Sequence, residues 1–453
     1  MGNADADTRG ASKRDFPVLD GALPVLGHMA EMYRRFPALC ARGRAKHGPL
    51  FWIHGGPGAR QLMYADPAAL SLLKSPSVST SFYAEGFGAL LGNTLFSFDG
   101  DEHRRVRQAV TPPFTPQRVR QSDVLEIITS AVDARIDKWE RTPSFDVASE
   151  VGEIALEIIF RIMGVPVERL AAWRTQYKRF LLAGLPSTGK LPNPLQWVAI
   201  RARDWLDAQL GEMVDERRRT GDYKSLVGEV ANGRADDGTR IDRGLIVSNL
   251  RLLTFAGHET TASSISWSLI HLAASTDLQR RLATEADDDA DLAALAMDGS
   301  RFTLAERTFR EALRLYPPIH SVIRRVTAPI ELEGGTIPKG ALINVPFVHI
   351  LRDALRFPDP DRFDPDRWKE RPRPGTLETA MFGAGPHFCL GYHIAIAEGT
   401  LFNLLVGRLL RRRGLALALA GGAPVPAPIF LPLTHPPKAT RLCLVPASKG
   451  AYL

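Results

Sequence analysis

Between residues 100 and 320, apolar side chains recur at three-and-four spacing, which gathers them on one face of a helix. The pattern predicts helices over 124–139, 151–163, 167–182 and 197–219, with a Gly- and Pro-bearing break at 184–194 between the last two. A longer helix is expected over 243–275. Helices beyond about 25 residues call for an explanation. Heptads do not persist here, so a helix crossing the middle of a large globule is expected rather than a coiled coil.

The flanking regions read differently. Residues 37–67 combine one helical stretch with β-like runs, Leu50-Phe51-Trp52-Ile53 and Gln61-Leu62-Met63-Tyr64. Residues 77–99 read as a loop carrying Phe82, Tyr83, Gly86, Phe87, Gly88 and Gly92; it is too apolar for a solvent loop and is expected to cover something. Residues 320–350 turn β-like, with a turn at Pro338-Lys339-Gly340. A coil of unusual length, rich in Pro, Gly, Asp and Arg, follows over 353–388, and such coils inside compact domains are usually functional. One more helix is expected over 390–410, then a Pro-rich β-like tail. No repeat or linker interrupts this order. The expected fold class is mainly α with a smaller β region, in a single large domain over 15–453 after a loose polar leader, 1–14.

Composition narrows the function. Hydrophobic residues make up 45% and charged residues 24% of the 453, which excludes disordered and fibrous classes. The formal charge of +7 is spread thinly, with basic runs no longer than Arg217-Arg218-Arg219 and Arg411-Arg412-Arg413, so no nucleic-acid partner is expected. Three cysteines, Cys40, Cys389 and Cys443, are too few for a disulfide framework or an all-cysteine metal site and suit a reducing cytosol. The N-terminus lacks the apolar segment of a signal peptide, and no window reaches the uninterrupted apolar length of a membrane span. The expectation is a soluble, cytoplasmic monomer.

The long coil ends in Phe382-Gly383-Ala384-Gly385-Pro386-His387-Phe388-Cys389-Leu390-Gly391, directly before a helix. Glycines admit close approach of a flat ligand, and a helix N-terminus stabilises a thiolate, as a metal-binding cysteine requires. The segment resembles the haem-binding signature of cytochrome P-450 monooxygenases, Phe-Gly-x-Gly-x-His-x-Cys-x-Gly, at every fixed position. The resemblance implies haem b (iron protoporphyrin IX) with Cys389 as its axial thiolate, a group suited to O–O cleavage. It places the haem between the long central helix and the cysteine loop, packed by Phe382, Gly383 and Gly391, with His387 reaching a propionate.

Three further elements agree. Leu252, Phe255, Ala256, Glu259 and Thr260 share one helical face, apolar for two turns and ending in a carboxylate beside a hydroxyl. Small Ala256 and Gly257 leave room for a flat cofactor, and Gly257 is expected to let the helix bend. Ala256-Gly257-His258-Glu259-Thr260-Thr261 resembles the family's oxygen-activation motif, which implies that Thr260 hydrogen-bonds bound oxygen and Glu259 feeds protons; His258 fills the variable position and is read as a neighbour. Glu311 and Arg314 make an intrahelical pair resembling the family's Glu-x-x-Arg, with Arg362 of Pro360-Asp361-Arg362-Phe363 as its third, structural member. His103 and Arg107, two cations on one helical face, want an anion. With Arg324 and His387 they are implied to ring the two propionates; the register could slip to Arg325, and counting back from Glu331-Leu332 favours Arg324.

The resemblance implies a haem-thiolate monooxygenase that hydroxylates or epoxidises a lipophilic small molecule. Electrons are expected from a separate ferredoxin or flavodoxin with an NAD(P)H reductase, since no Gly-x-Gly-x-x-Gly pattern follows Cys389. Arg104 and Arg105 are compatible with docking an acidic partner. Leu252, Phe255, Phe82, Phe87 and Val322 are expected to line an apolar pocket, with 180–197 as a lid. The substrate class stays open among terpenoid, polyketide, steroid and fatty acid, with a lipophilic product of secondary metabolism expected ahead of a fatty acid. Two rivals stand beside this reading: a reductant-independent haem-thiolate enzyme (peroxide-driven hydroxylase, isomerase or dehydratase), against which Glu259-Thr260 argues, and a non-catalytic haem or ligand-binding protein.

Overall fold

In a computed structural model, the described residues are 15–56, 59–184, 194–298, 302–332, 334–370 and 376–447. The leader expected over 1–14 and the middle of the expected lid, 185–193, lie outside them. The helical periodicity is realised as helices Val124–Glu140, Val147–Ile162, Leu170–Phe180 and Pro194–Thr220. The central helix, Arg243–Ala273, starts where the Asp242 carboxylate accepts from the Leu245 amide at 3.1 Å. It runs for 31 residues without a break at Gly257.

Burial on nearly every side explains that length. The helix packs against Val147–Ile162, Pro194–Thr220, Leu304–Leu315 and Tyr392–Arg413. A Cβ at Gly257 would lie 3.1 Å from Ile159 Cδ1, so this glycine serves a close helix crossing rather than room for a cofactor. Buried hydroxyls along it are satisfied internally: Ser264 donates to the Thr260 carbonyl at 2.8 Å and Ser266 to that of Ala262 at 2.7 Å. Helix Tyr392–Arg413 is, among the described residues, the one helix long and apolar enough to cross a membrane, and it is buried in the core.

The β part is small. Strands Leu50–His54, Arg60–Tyr64, Leu342–Val345, Val322–Val326 and Val78–Ser79 form one sheet in that order, parallel only where Leu62 faces Ile343. Phe145–Asp146, Arg441–Pro446 and Leu415–Leu419 form a second sheet, and Ile330–Leu332 pairs with Gly335–Ile337. Residues 77–99, expected as a loop, contain the helix Ser81–Leu91. Gly86 and Gly88 each cost about 1 kcal/mol there relative to alanine, and tertiary contacts outweigh that. The Ile323 amide donates to the Tyr83 hydroxyl at 2.9 Å, Arg325 pairs with Glu85 at 2.5 Å, and Leu90 and Leu91 are buried.

One buried carboxylate ties the long coil to this frame. Glu311, on helix Leu304–Leu315, is fully buried. Its Oε1 accepts from Arg314 Nη2 at 2.8 Å, Arg367 Nε at 2.9 Å and the Asp364 amide at 2.9 Å. Its Oε2 accepts from Arg314 Nε at 2.8 Å and Trp368 Nε1 at 2.9 Å. Arg314 also donates to the carbonyls of Leu351, Pro360 and Arg362. The expected third member, Arg362, is therefore corrected: its side chain is exposed and only its carbonyl takes part. The guanidinium that reaches Glu311 is Arg367. Two Pro-Asp-Arg-aromatic segments lie five residues apart, and only the second, at the turn Pro365–Trp368, buries its aromatic beside Glu311.

Two predictions follow from this packing. Replacing Glu311 with Ala leaves buried guanidinium groups uncompensated and should cost about 3–5 kcal/mol, whereas Arg362→Ala should stay within about 0.5 kcal/mol of wild type; urea unfolding of both variants measures the difference, and equal losses would restore Arg362 to the triad. Burial also pushes His103, His271, His320 and His349 from 6.5 down to about 4. The unfolded chain binds these protons first as pH falls, so stability should drop between about pH 6.5 and 4 and be fully present above that window. Thermal unfolding across this range checks it; a flat melting temperature is the contrary result.

Candidate functional site

The cysteine loop is shaped by its own backbone. The Cys389 amide donates to the Phe382 carbonyl at 2.9 Å, closing the loop on itself. Gly383 and Gly385 have φ of 81° and 68°, and a Cβ at Gly385 would meet the Leu73 carbonyl oxygen at 2.5 Å, so only glycine fits there. Phe382 is buried edge-on against Tyr392, with ring centroids 4.7 Å apart. Gly391 caps the following helix and directs its amide at the Cys389 sulfur. Burial pushes the Cys389 thiol up, opposed by that amide and the charge of Arg107. The helix terminus alone thus leaves the thiol protonated, and ionisation requires a cation against the sulfur.

Beside the loop stands a cationic cluster. Helix Gly100–Val110 carries His103, buried, and Arg107, whose Nη2 donates to the Phe388 carbonyl at 2.8 Å. His103 and His387 lie ring against ring at 4.2 Å. Burial, with the charges of His387 and Arg107, holds His103 near a pKa of about 4, so this expected cation is neutral at pH 7. His387 Nε2 lies 3.4 Å from Asp99 Oδ1. Asp99, which the sequence reading missed, also accepts from Ser79 Oγ at 2.7 Å and the Thr80 amide at 2.9 Å. Burial acts to raise its pKa, but the donors, His387 first, leave it well below the usual carboxylate range.

Strand Val322–Val326 resolves the arginine register. Arg324 is buried, with its Nη1 on the Ile323 carbonyl at 2.9 Å and its guanidinium 5.9 Å from the Tyr83 ring. Arg325 points outward to Glu85. Among the described residues neither Arg107 nor Arg324 has a carboxylate ion-pair partner, while burial pushes both guanidinium groups down. Two partly desolvated cations without a carboxylate partner are a costly arrangement unless an anion completes them.

On the central helix the expected face is only partly covered. Ala256 is exposed and Phe255, Glu259 and Thr260 are half-buried, although the helix is buried to either side. Thr260 Oγ1 donates to the Ala256 carbonyl at 2.6 Å, which leaves its lone pairs free to accept. Glu259 Oε1 lies 3.0 Å from His258 Nδ1. Burial acts to raise the Glu259 pKa, but His258 and His435 outweigh it and hold it below the usual value. Of the expected pocket residues, Leu252 is buried in the main core, whereas Phe82 and Val322 remain half-buried. The side chain of Phe87 lies outside the described residues.

Known proteins resemble this chain over most of its length. Residues 17–413 match the family model described as Cytochrome P450. The chain is 32% identical over 431 residues to a "Cytochrome P450 BJ-4 homolog" of Sinorhizobium fredii, covering 94% of this chain and 96% of that one. It is 28% identical to the "Cyclooctat-9-en-7-ol 5-monooxygenase" of Streptomyces melanosporofaciens, covering 87% and 88%, and 28% identical to the "Abscisic acid 8'-hydroxylase 3" of Oryza sativa subsp. japonica, covering 83% and 77%. Its fold is similar to that of a retinoic-acid-bound cyanobacterial CYP120A1, with a TM-score of 0.81 at 21% identity over 95% of this chain and 100% of that one.

Proposed function

Since the chain belongs to the cytochrome P450 family, whose members bind haem through a cysteine thiolate, we propose that it is a monooxygenase that inserts one oxygen atom of O2 into a lipophilic small molecule, with Cys389 as the iron ligand. The observation that carries this reading is a pair of guanidinium groups, half-buried Arg107 and buried Arg324, which among the described residues have backbone carbonyl partners but no carboxylate, beside a loop that presents the half-buried Cys389 thiol. A flat dianion with a metal at its centre fits that donor set: its carboxylates would complete the arginines and its cation would ionise the thiol. His103 and His387 then serve as neighbouring donors, and Phe382, Gly383 and Gly391 shape the loop around the sulfur.

When bound, thiolate-ligated haem supplies the activation of dioxygen. The chain's own residues do the rest. Ala256 and half-buried Phe255, Phe82 and Val322 offer an apolar surface that excludes water and orients substrate. Thr260 accepts and redirects a hydrogen bond at Oγ1, and Glu259 holds the proton-donating position beside it. Leu252 backs this surface from the core.

Relatives named for oxygenation of a cyclooctatenol and of abscisic acid support an isoprenoid-like substrate over a fatty acid. Electron supply by a separate ferredoxin or flavodoxin with its reductase is supported by the surface on the cysteine side. There an open concavity of about 870 Å³ is lined by Arg104, Arg107, Arg118, Gly385 and Pro386. Two of its arginines are already paired, Arg104 with Asp101 and Arg118 with Glu229, so it offers an acidic partner a modest basic rim. Among the rivals, a reductant-independent enzyme has less need of the Glu259-Thr260 pair.

The test is the absorption spectrum of the purified protein, reduced under carbon monoxide. A strongly red-shifted Soret band, lost in Cys389→Ser, is expected. A band at the position of histidine-ligated haem would overturn the reading. In a reconstituted system Thr260→Ala should consume reductant with about 10- to 100-fold less product per electron pair, and unchanged coupling would remove Thr260 from its role.

A further inference from the structure

The residue that faces Glu259 is its own chain neighbour, and it is held from two other elements. His258 is buried, and its Nε2 lies 3.0 Å from the Gly152 carbonyl on helix Val147–Ile162. A carbonyl can only accept, so Nε2 carries a proton. The face of the ring is closed by Tyr177 of helix Leu170–Phe180, edge-on with centroids 5.2 Å apart. With both held in place, Nδ1 is left pointing at Glu259 Oε1 at 3.0 Å.

That contact is attractive only if a proton lies on Nδ1 as well. A neutral ring with its proton on Nε2 would set a lone pair against a carboxylate. Both hydrogen bonding and charge act across this contact, so it depends on the charge of the ring. The exposures of the two partners differ: the imidazole side chain is 10% exposed and the carboxylate 34%. The buried member is therefore clamped, and the member that reaches open space is the acid next to Thr260.

We propose that His258 is a positioning residue for Glu259: clamped between Gly152 and Tyr177 as an imidazolium, it fixes the carboxylate beside Thr260 and keeps a proton stored in the pair. This deepens the monooxygenase reading and rests on it. A proton leaving the pair toward Thr260 is replaced through the half-buried carboxylate, so the pair returns to its starting state. The groups that act on this proton come from three other elements. They are the Gly152 carbonyl, the buried Tyr177 hydroxyl, which has no hydrogen-bond partner among the described residues, and His435 of the C-terminal loop, whose charge also lowers Glu259.

The experiment is ¹⁵N-histidine NMR of the haem-loaded protein at neutral pH, with His258 assigned from the spectrum of His258→Gln. Two protonated ring nitrogens are expected in wild type and one in Glu259→Gln; a singly protonated ring in both overturns the proposal. Infrared titration of the Glu259 carboxyl gives a second readout that needs no turnover. In His258→Gln, which keeps a donor for Gly152 but cannot carry charge, the carboxyl should titrate at higher pH and coupling should fall roughly tenfold, with substrate-induced spectral shifts retained. An unmoved carboxyl titration, or a loss of coupling explained wholly by lost substrate binding, would also overturn it. These readouts stand apart from the carbon monoxide spectrum, so failure here leaves the monooxygenase reading in place.

Discussion

The cysteine that defines this protein sits at the end of a coil with little regular structure, and that coil is held by one buried carboxylate. Glu311 receives five donors from Arg314, Arg367, Trp368 and the Asp364 backbone, in a place where none can be exchanged for water. In a low-dielectric interior such a cluster is costly to assemble and more costly to break at one member. Its effect is therefore geometric. It joins helix Leu304–Leu315 to residues 358–368, and the loop that ends in Cys389 continues from there. Arg314 extends the same hold to the carbonyls of Leu351 and Pro360, so that side chains replace the missing secondary structure as partners for the coil backbone.

At the site the balance is the opposite one. Among the described residues half-buried Arg107 and buried Arg324 have no carboxylate ion-pair partner, and desolvation pushes the half-buried Cys389 thiol toward its neutral form. Local order has been retained while charge compensation has been left out, as expected where a bound group completes the electrostatics. Asp99 keeps the cluster from being wholly cationic: it ties His387 to the Ser79 hydroxyl and the Thr80 amide and anchors the start of helix Ser81–Leu91 above it.

The central helix brings both themes together. Its length comes from burial on nearly all sides, buried Ser264 and Ser266 bond back to its own carbonyls, and a less covered stretch carries Ala256, Glu259 and Thr260. Gly257 lets Ile159 approach from the adjacent helix, and that crossing also sets the Gly152 carbonyl against His258. A glycine read as making room for a ligand thus brings a second helix close enough to orient the acid.

Much of this was legible in the chain because it is local. Periodicity marks the helices, and the Phe-Gly-x-Gly-x-His-x-Cys-x-Gly run marks the ligand loop, because backbone freedom and a thiol before a helix are properties of neighbouring residues. What the tertiary structure alone decided are choices between equivalent local signals. Arg367 rather than Arg362 reaches Glu311, since both follow Pro-Asp but only one is followed by an aromatic that buries there. The helix Ser81–Leu91 forms despite two glycines because contacts from residues some 240 positions away pin it. His258 and Asp99 matter through what other elements place against them, and charge and burial at a point are sums over the whole fold that no short stretch of sequence contains.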